Sequence, residues 1–326
     1  MSRVVVFNKS GYEPFFDYVK AYAILCVLIG HTFPCVNKMG YFFWAGMQVP
    51  LFVLVQAFHA LKKTAAKLNI RKIITRVFVP FLLVTVGVFV IFVLSGNFSK
   101  ALIFSALNGG GCGPGAYYPW VYIQLALILV VIRPLLDKGT MLQQGLIAIL
   151  ICEGGEILSA LISLPDWIHR LLAIRYLFLI YLAWIWVKKG IVINKLTILL
   201  SLLSMASIAY FEYFANDLTP FFFNTAWKCH RWPCYYYVST LGCYLLYLLY
   251  QFLSRFGFID RIIKLLAKCS YEIFLLQMGC IAVLQQLNVF SHANLSLAIR
   301  ILLIWFISIF GGYIFNKAYV KIINLV

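Results

Sequence analysis

Apolar residues in this chain run in long blocks separated by short basic gaps, without the strict alternation of a membrane β-strand. Residues 77–93 and 301–310 carry no charge at all. Lipid offers the backbone no hydrogen bonds, so an apolar run of about 20 residues must close its own as a helix. Windows of this kind predict ten spans, at about residues 15–34, 42–60, 77–95, 119–136, 142–162, 170–187, 191–214, 235–254, 271–288 and 296–316. The fifth and ninth windows are interrupted by carboxylates or amides. A short amphipathic piece at residues 101–107 is expected at the interface. With no internal repeat and no soluble appendage, the expectation is all-α: one polytopic transmembrane bundle over residues 1–326.

The basic gaps orient the bundle. Nineteen Lys and Arg fall on the side that holds both termini and the gaps at 62–76, 133–138, 188–195 and 255–268. Seven fall on the other side, and Lys20 lies inside the first span. Cytoplasmic loops retain Lys and Arg, so both termini are expected in the cytoplasm, which ten spans satisfy. The segment 1–9 has no cleavable apolar core, and the first span is expected to stay as an anchor.

Composition narrows the class. The chain is 63% hydrophobic and 11% charged, with mean hydropathy +0.93, against roughly a quarter charged in soluble domains. A soluble fold and a β-barrel are excluded. The net charge of +17 is spread through short loops, with no basic–aromatic domain, so no nucleic-acid partner is expected. Most of the nine Cys sit in or beside apolar runs, where Cys behaves as a small hydrophobe. Cys229 and Cys234 flank His230, too few ligands for a metal site, and a disulfide there would need an oxidising compartment. No metal is expected.

Inside a membrane the informative residues are those that cost energy to keep. An ionisable side chain at the bilayer centre costs about 2.5–3.5 kcal/mol on insertion scales. The first span holds Asp17, Lys20 and His31. Asp17 and Lys20, three apart, can pair. Lys20 and His31, eleven apart, point within about 20° of each other, separated by roughly 16 Å of rise. This is either a polar track facing a cavity or a structural ion pair with an interfacial His. Glu153 and Glu156 on the fifth span are an acid/base pair or cation site, or else one is protonated and the other paired to a neighbouring span. Glu272 opens the ninth span, where it favours the helix dipole. His59, with Gln56 one turn earlier, closes the second span and reads as structural. Arg71, Lys72 and Arg76 follow from positive-inside topology, and would equally suit the phosphates of a nucleotide-bearing donor. The stretch from Gly109 to Trp120 is no phosphate-binding loop, since it lacks a preceding strand and the Lys-Ser/Thr ending. Its Tyr117, Tyr118 and Trp120 form an interfacial belt or a platform for a sugar ring. A second Pro–aromatic stretch, Trp232 to Tyr237, lies on the same side.

Taken in order, these landmarks resemble acyltransferase family 3. The residues that carry the resemblance are Asp17-Tyr-Val-Lys20 with His31 in FFDYVKAYAILCVLIGH, then QVPLFVLVQAFHA, Arg76-Val-Phe-Val-Pro80, GPGAYYPWVYIQL, RWPCYYY and SYEIFLLQM from Ser270 to Met278. The chain departs from the pattern in having Lys20 where Arg is common, Ile73 in place of a second Arg, and Cys234 where a second Pro is common. The resemblance implies an O-acetyltransferase in a bacterial cytoplasmic (inner) membrane. It would move acetyl from cytosolic acetyl-CoA, as co-substrate, to a hydroxyl of a surface glycan or lipid-linked sugar, with membrane lipids as its surroundings. In that scheme His31 is general base or covalent acyl carrier, with Asp17 orienting Lys20. Lys20, Arg71, Lys72 and Arg76 hold the donor, and Tyr118, Trp120 and Glu153 the acceptor. The competing class is a transporter or flippase for glycans or small anions, because intramembrane charges mark transport routes too.

Overall fold

The computed structural model describes residues 3–7, 12–33, 47–63, 68–213, 233–287 and 296–323. In chain order these give β1 (Arg3–Val5), α1 (Phe15–Thr32), α2 (Gln48–Leu61), α3 (Ile70–Leu94), α4 (Lys100–Gly109), α5 (Tyr118–Leu136), α6 (Met141–Leu161) and α7 (Asp166–Leu171). After a 3₁₀ turn at Ile174–Tyr176 come α8 (Leu177–Lys189), β2 (Ile191–Ile193), α9 (Lys195–Tyr213), α10 (residues 234–253), α11 (Gly257–Lys268), α12 (Ser270–Gln286) and α13 (Leu297–Ile323).

Five helices are long and apolar enough to cross a membrane: α1, α3, α5, α6 and α13. A sixth is reached if α11 and α12, bent by 65° at Cys269, count as one span. The expected ten is therefore not attained on length and hydropathy among the described residues. The physical reasons are local. In the window at 42–60 the described helix runs from Gln48 and holds 14 residues, the window's first residues lying outside the described set. The window at 170–187 is broken at Leu172–Tyr176, which leaves only 13 residues in α8. The window at 191–214 begins as a strand. Helix does nevertheless occupy each of the ten windows, and the amphipathic piece at 101–107 is α4, capped by the Ser99 side chain accepting from the Leu102 N–H at 3.2 Å.

α1 is the hub. Of its residues 61% are buried, against 17% in the most apolar window of α13. It packs on α2, α10, α11 and α12. The outer helices instead turn large apolar side chains outward, among them Leu83, Val86, Leu94, Val131, Leu150, Leu302 and Phe306, as lipid-facing helices do. α12 and α13 form the most extensive helix pair. Gly312 makes this possible: a Cβ there would lie 2.8 Å from the Ile273 backbone.

The gaps that sequence assigned to one side do gather at one end of the bundle. β1 pairs antiparallel with β2 in the register Arg3↔Ile193, Val4↔Val192, Val5↔Ile191, seating the N-terminal segment beside the gap after α8. Lys188 is ion-paired to Asp137 at 2.8 Å, Tyr18 donates to Asp260 at 3.0 Å, and the Arg133 guanidinium donates to the Ala60 carbonyl at 3.4 Å. At the other end, the loop from Gly110 to Tyr117 packs over the end of α1 at His31 and the body of α12 at Phe274 and Met278, and Trp305 Nε1 donates to Thr32 Oγ1 at 3.0 Å.

Candidate active site

A cavity of about 790 Å³ opens between α1, α2, α3, α5 and α12. Five cationic residues line it, Lys20, Lys62, Lys63, Lys72 and Arg76, and no carboxylate does among the described residues. Each is there for a sequence reason. Lys62 and Lys63 follow the last turn of α2. Lys72 and Arg76 stand one turn apart at the start of α3, whose entry is capped by the Asn69 side chain accepting from the Lys72 N–H at 2.9 Å. Lys20 comes from the buried hub helix and is ion-paired to Asp17 at 2.7 Å, while the Tyr12 hydroxyl donates to the same carboxylate. Asp17 itself does not line the cavity.

Deeper in, the lining turns apolar and aromatic, with Val27, Val49, Phe52, Tyr118, Tyr122, Leu129 and Phe274. Gln56 adds a polar side chain to it. Gln56 Nε2 donates to the Tyr122 carbonyl at 3.0 Å, and its Oε1 is buried with no hydrogen-bond partner among the described residues. His59 lies on the rim, its ring 5.0 Å from that of Phe16.

Tyr118 and Phe274 meet edge to face with ring centroids 5.9 Å apart, and both line the cavity. Beyond them is His31. A Cβ built at Gly115 would lie 2.9 Å from the Phe274 ring and 3.6 Å from His31 Cε1, so the imidazole and the Phe274 ring share one small space under the glycine loop. Gly115 has φ +87° and Gly113 +91°, conformations that favour glycine, and a Cβ on Gly113 would fall 2.2 Å from the Met278 carbonyl oxygen. Gln277 neighbours the imidazole, and its Nε2 donates to the Val27 carbonyl at 3.3 Å. His31 Nδ1 and Gln277 Oε1 are both buried without a hydrogen-bond partner among the described residues. Buried polar atoms are ordinarily satisfied, and the imidazole and the Gln277 amide are polar neighbours within this pocket. His31 also lines a second, outer cavity of about 420 Å³ with Gln285 and Arg300.

One buried aromatic layer thus separates a cationic cavity from a histidine that faces a second cavity. A family model described as an acyltransferase domain matches residues 13–317, nearly the whole chain. The chain belongs to acyltransferase family 3. With its apolar helices, it is an integral membrane acyltransferase. Comparison with curated proteins and with solved structures gave no match.

Against that family assignment the expected site residues sort plainly. Lys20, Lys72, Arg76 and Tyr118 converge on the large cavity, and His31 adjoins its inner end. Arg71 is exposed at the start of α3 and does not line it. Trp120 lines neither cavity; its indole N–H donates to the Gly110 carbonyl at 2.6 Å, tying down the glycine loop. Glu153 lines neither cavity either. Its neighbour Glu156 is buried and paired to Arg175 at 3.1 Å and to His169 at 3.0 Å, the alternative in which one carboxylate is held by a neighbouring segment. Glu272 stands in the first turn of α12, as its place in the sequence suggests, and is buried against Asn316 of α13. Cys229 and His230 lie outside the described residues; Cys234 is buried. Among the described residues no cluster of three or more His, Cys, Asp or Glu has the makings of a metal site.

Sequence reasoning missed Lys62, Lys63, Tyr122 and Gln277. The lysines look like ordinary positive-inside residues until the cavity is seen. Gln277 carried a readable signal, an amide within the otherwise apolar run Ile273–Met278.

Proposed function

We propose that this acyltransferase moves an acetyl group from acetyl-CoA to a hydroxyl of a surface glycan or lipid-linked sugar. The observation that carries the reading is the polarity of the large cavity: cations at its mouth, an apolar bore, and the His31 pocket at its end. A CoA thioester has the same order, phosphates first, then a slender pantetheine arm, then the reactive acyl group. Lys62 and Lys63 on one wall and Lys72 and Arg76 on another suit phosphates at two separated positions. In this reading the cationic mouth faces the cytoplasm, the chain spans the membrane ten times with both termini inside, and the membrane is a bacterial inner membrane.

The acceptor enters from the outer cavity, where Gln285 and Arg300 supply hydrogen-bond donors. His31 as general base takes the proton of the acceptor hydroxyl; the oxygen attacks the thioester carbonyl, the C–S bond breaks, and the thiolate leaves with that proton. If His31 is instead the acyl carrier, its ring nitrogen attacks the thioester carbonyl as the C–S bond breaks and the CoA thiolate leaves; the acceptor hydroxyl then attacks the acyl-imidazole, the N–acyl bond breaks, and the released imidazole takes the hydroxyl proton. Asp17 orients Lys20, and Tyr118 contributes a face to the passage. Phe274 and Tyr118 stand between thioester and imidazole, so the acyl end must pass their edge.

The test is binding of acetyl-CoA to detergent-purified protein beside Lys20→Ala and His31→Ala. Binding by the parent is expected to weaken in Lys20→Ala and persist in His31→Ala, while acyl transfer is lost in the latter by at least about 100-fold. A folded parent that binds no acetyl-CoA would remove the donor reading and favour transport. Full activity in His31→Ala would remove the histidine.

A further inference from the structure

Helix α3 contains a π-helical turn at Ile74–Phe78, and Arg76 sits at its middle. The cause is in the sequence. Pro80 has no N–H to give the carbonyl four residues back, which is that of Arg76, and its ring crowds that carbonyl. The backbone responds by widening: the Val79 N–H bonds to Ile74 O, five residues back, rather than to Thr75 O. The carbonyls on either side of Arg76 are then taken up from other helices. The Tyr319 hydroxyl of α13 donates to Thr75 O, and the Tyr271 hydroxyl of α12 donates to Val77 O at 2.8 Å.

We propose that Tyr271 and Tyr319 are positioning residues for donor binding, holding the π-turn that presents Arg76 to the cavity. The inference rests on the reading of Arg76 as a contact for donor phosphate. A π-turn adds one residue to a helical turn, so its loss would rotate Lys72 and Arg76 by about 100° relative to the rest of α3, away from the cavity they line. The two tyrosines act from one rigid unit. α12 and α13 are locked together by the close approach of Gly312 to Ile273 and by the Glu272–Asn316 contact. This gives the tyrosine of the Ser270-Tyr-Glu-Ile stretch a task at a distance from the transferred group. Tyr319 is the cleaner reporter, because it is buried and does not line the cavity.

The experiment measures dissociation constants of CoA and of pantetheine, which lacks phosphate, for the full-length protein and for Tyr271→Phe, Tyr319→Phe, Arg76→Ala and the combination of Tyr319→Phe with Arg76→Ala. Loss of one supporting hydrogen bond is expected to weaken CoA binding about two- to tenfold in each Phe variant. Pantetheine binding should not change, and the double variant should be no weaker than Arg76→Ala alone. A general packing defect would weaken both probes. Pro80→Ala, which lets the turn relax to an α-helix, should give the same selective loss and serves if a Phe variant does not fold. If Arg76→Ala weakens CoA but Tyr319→Phe and Pro80→Ala leave it unchanged, or if the double variant loses both factors in full, the inference falls. If Arg76→Ala itself leaves CoA binding unchanged, the phosphate reading of Arg76 falls and takes the inference with it.

Discussion

A methyl group added at Gly113 would lie 2.2 Å from the Met278 carbonyl oxygen, a backbone atom that can move only with α12. A methyl added at Gly109, four residues earlier, would meet nothing within 4 Å. Gly113 also holds a positive φ of 91°. Gly113→Ala is therefore expected to cost roughly 2 kcal/mol or more and to cut acyl transfer, while Gly109→Ala stays within about 0.5 kcal/mol of the parent. Thermal denaturation in detergent compares them, and equal melting points would refute the packing of the loop on α12. At this scale the sequence was most readable where a residue is costly in lipid. Asp17, Lys20 and His31 stood out for that reason, and all three bear on the site. It was least readable where chemistry is ordinary for its position. Lys62 and Lys63 end a helix as topology alone requires, and only the facing wall makes them part of a cavity.

Helices meet around two kinds of polar seam. One is the π-turn of α3. The other is the buried cluster of Glu156 on α6, His169 on α7 and Arg175 on the 3₁₀ turn, which fastens the break between α7 and α8 to the middle of α6. A buried charge left without its partner is expensive, whereas removing both charges together is often tolerated. Arg175→Met is thus expected to destabilise the protein by about 3–5 kcal/mol, and Glu156→Leu added to it to recover part of the loss. Melting temperatures of the two variants check this; a double variant less stable than the single would mean that the cluster contributes net stability. The sequence offered Glu153 and Glu156 as equivalent, since a helical spacing of three puts both on one face. Which of them meets Arg175 depends on how α6 is rotated against a segment that does not pack as a regular helix.

On the scale of the whole chain, the basic gaps at 62–76, 133–138, 188–195 and 255–268 and both chain ends were assigned to one side by charge alone. The contacts of Arg3, Tyr18, Arg133 and Lys188 bring those gaps together at one end of the bundle. A reporter enzyme active only in the cytoplasm, fused after Val326, is accordingly expected to be active, and one inserted in the loop at 109–117 inactive. The reverse pattern would invert the bundle and place the cationic mouth outside, away from a cytosolic donor.

The sequence by itself determined that the chain lives in lipid, where its helices run, and which family it belongs to. These follow from local quantities, namely the transfer free energy of apolar runs and the short-range spacing of polar residues along a helix. It overstated how many runs are uninterrupted, because hydropathy averages over breaks such as Leu172–Tyr176 that backbone geometry makes visible. Only the tertiary structure decided that Lys62 and Lys63 face Lys72 and Arg76 across one cavity, that Trp120 secures a loop, and that Glu156 is paired to Arg175 and His169. It alone brought Tyr271 and Tyr319 to the carbonyls flanking Arg76. Each of those is set by helix rotation and close approach, and none follows from the local spacing of polar residues along a helix.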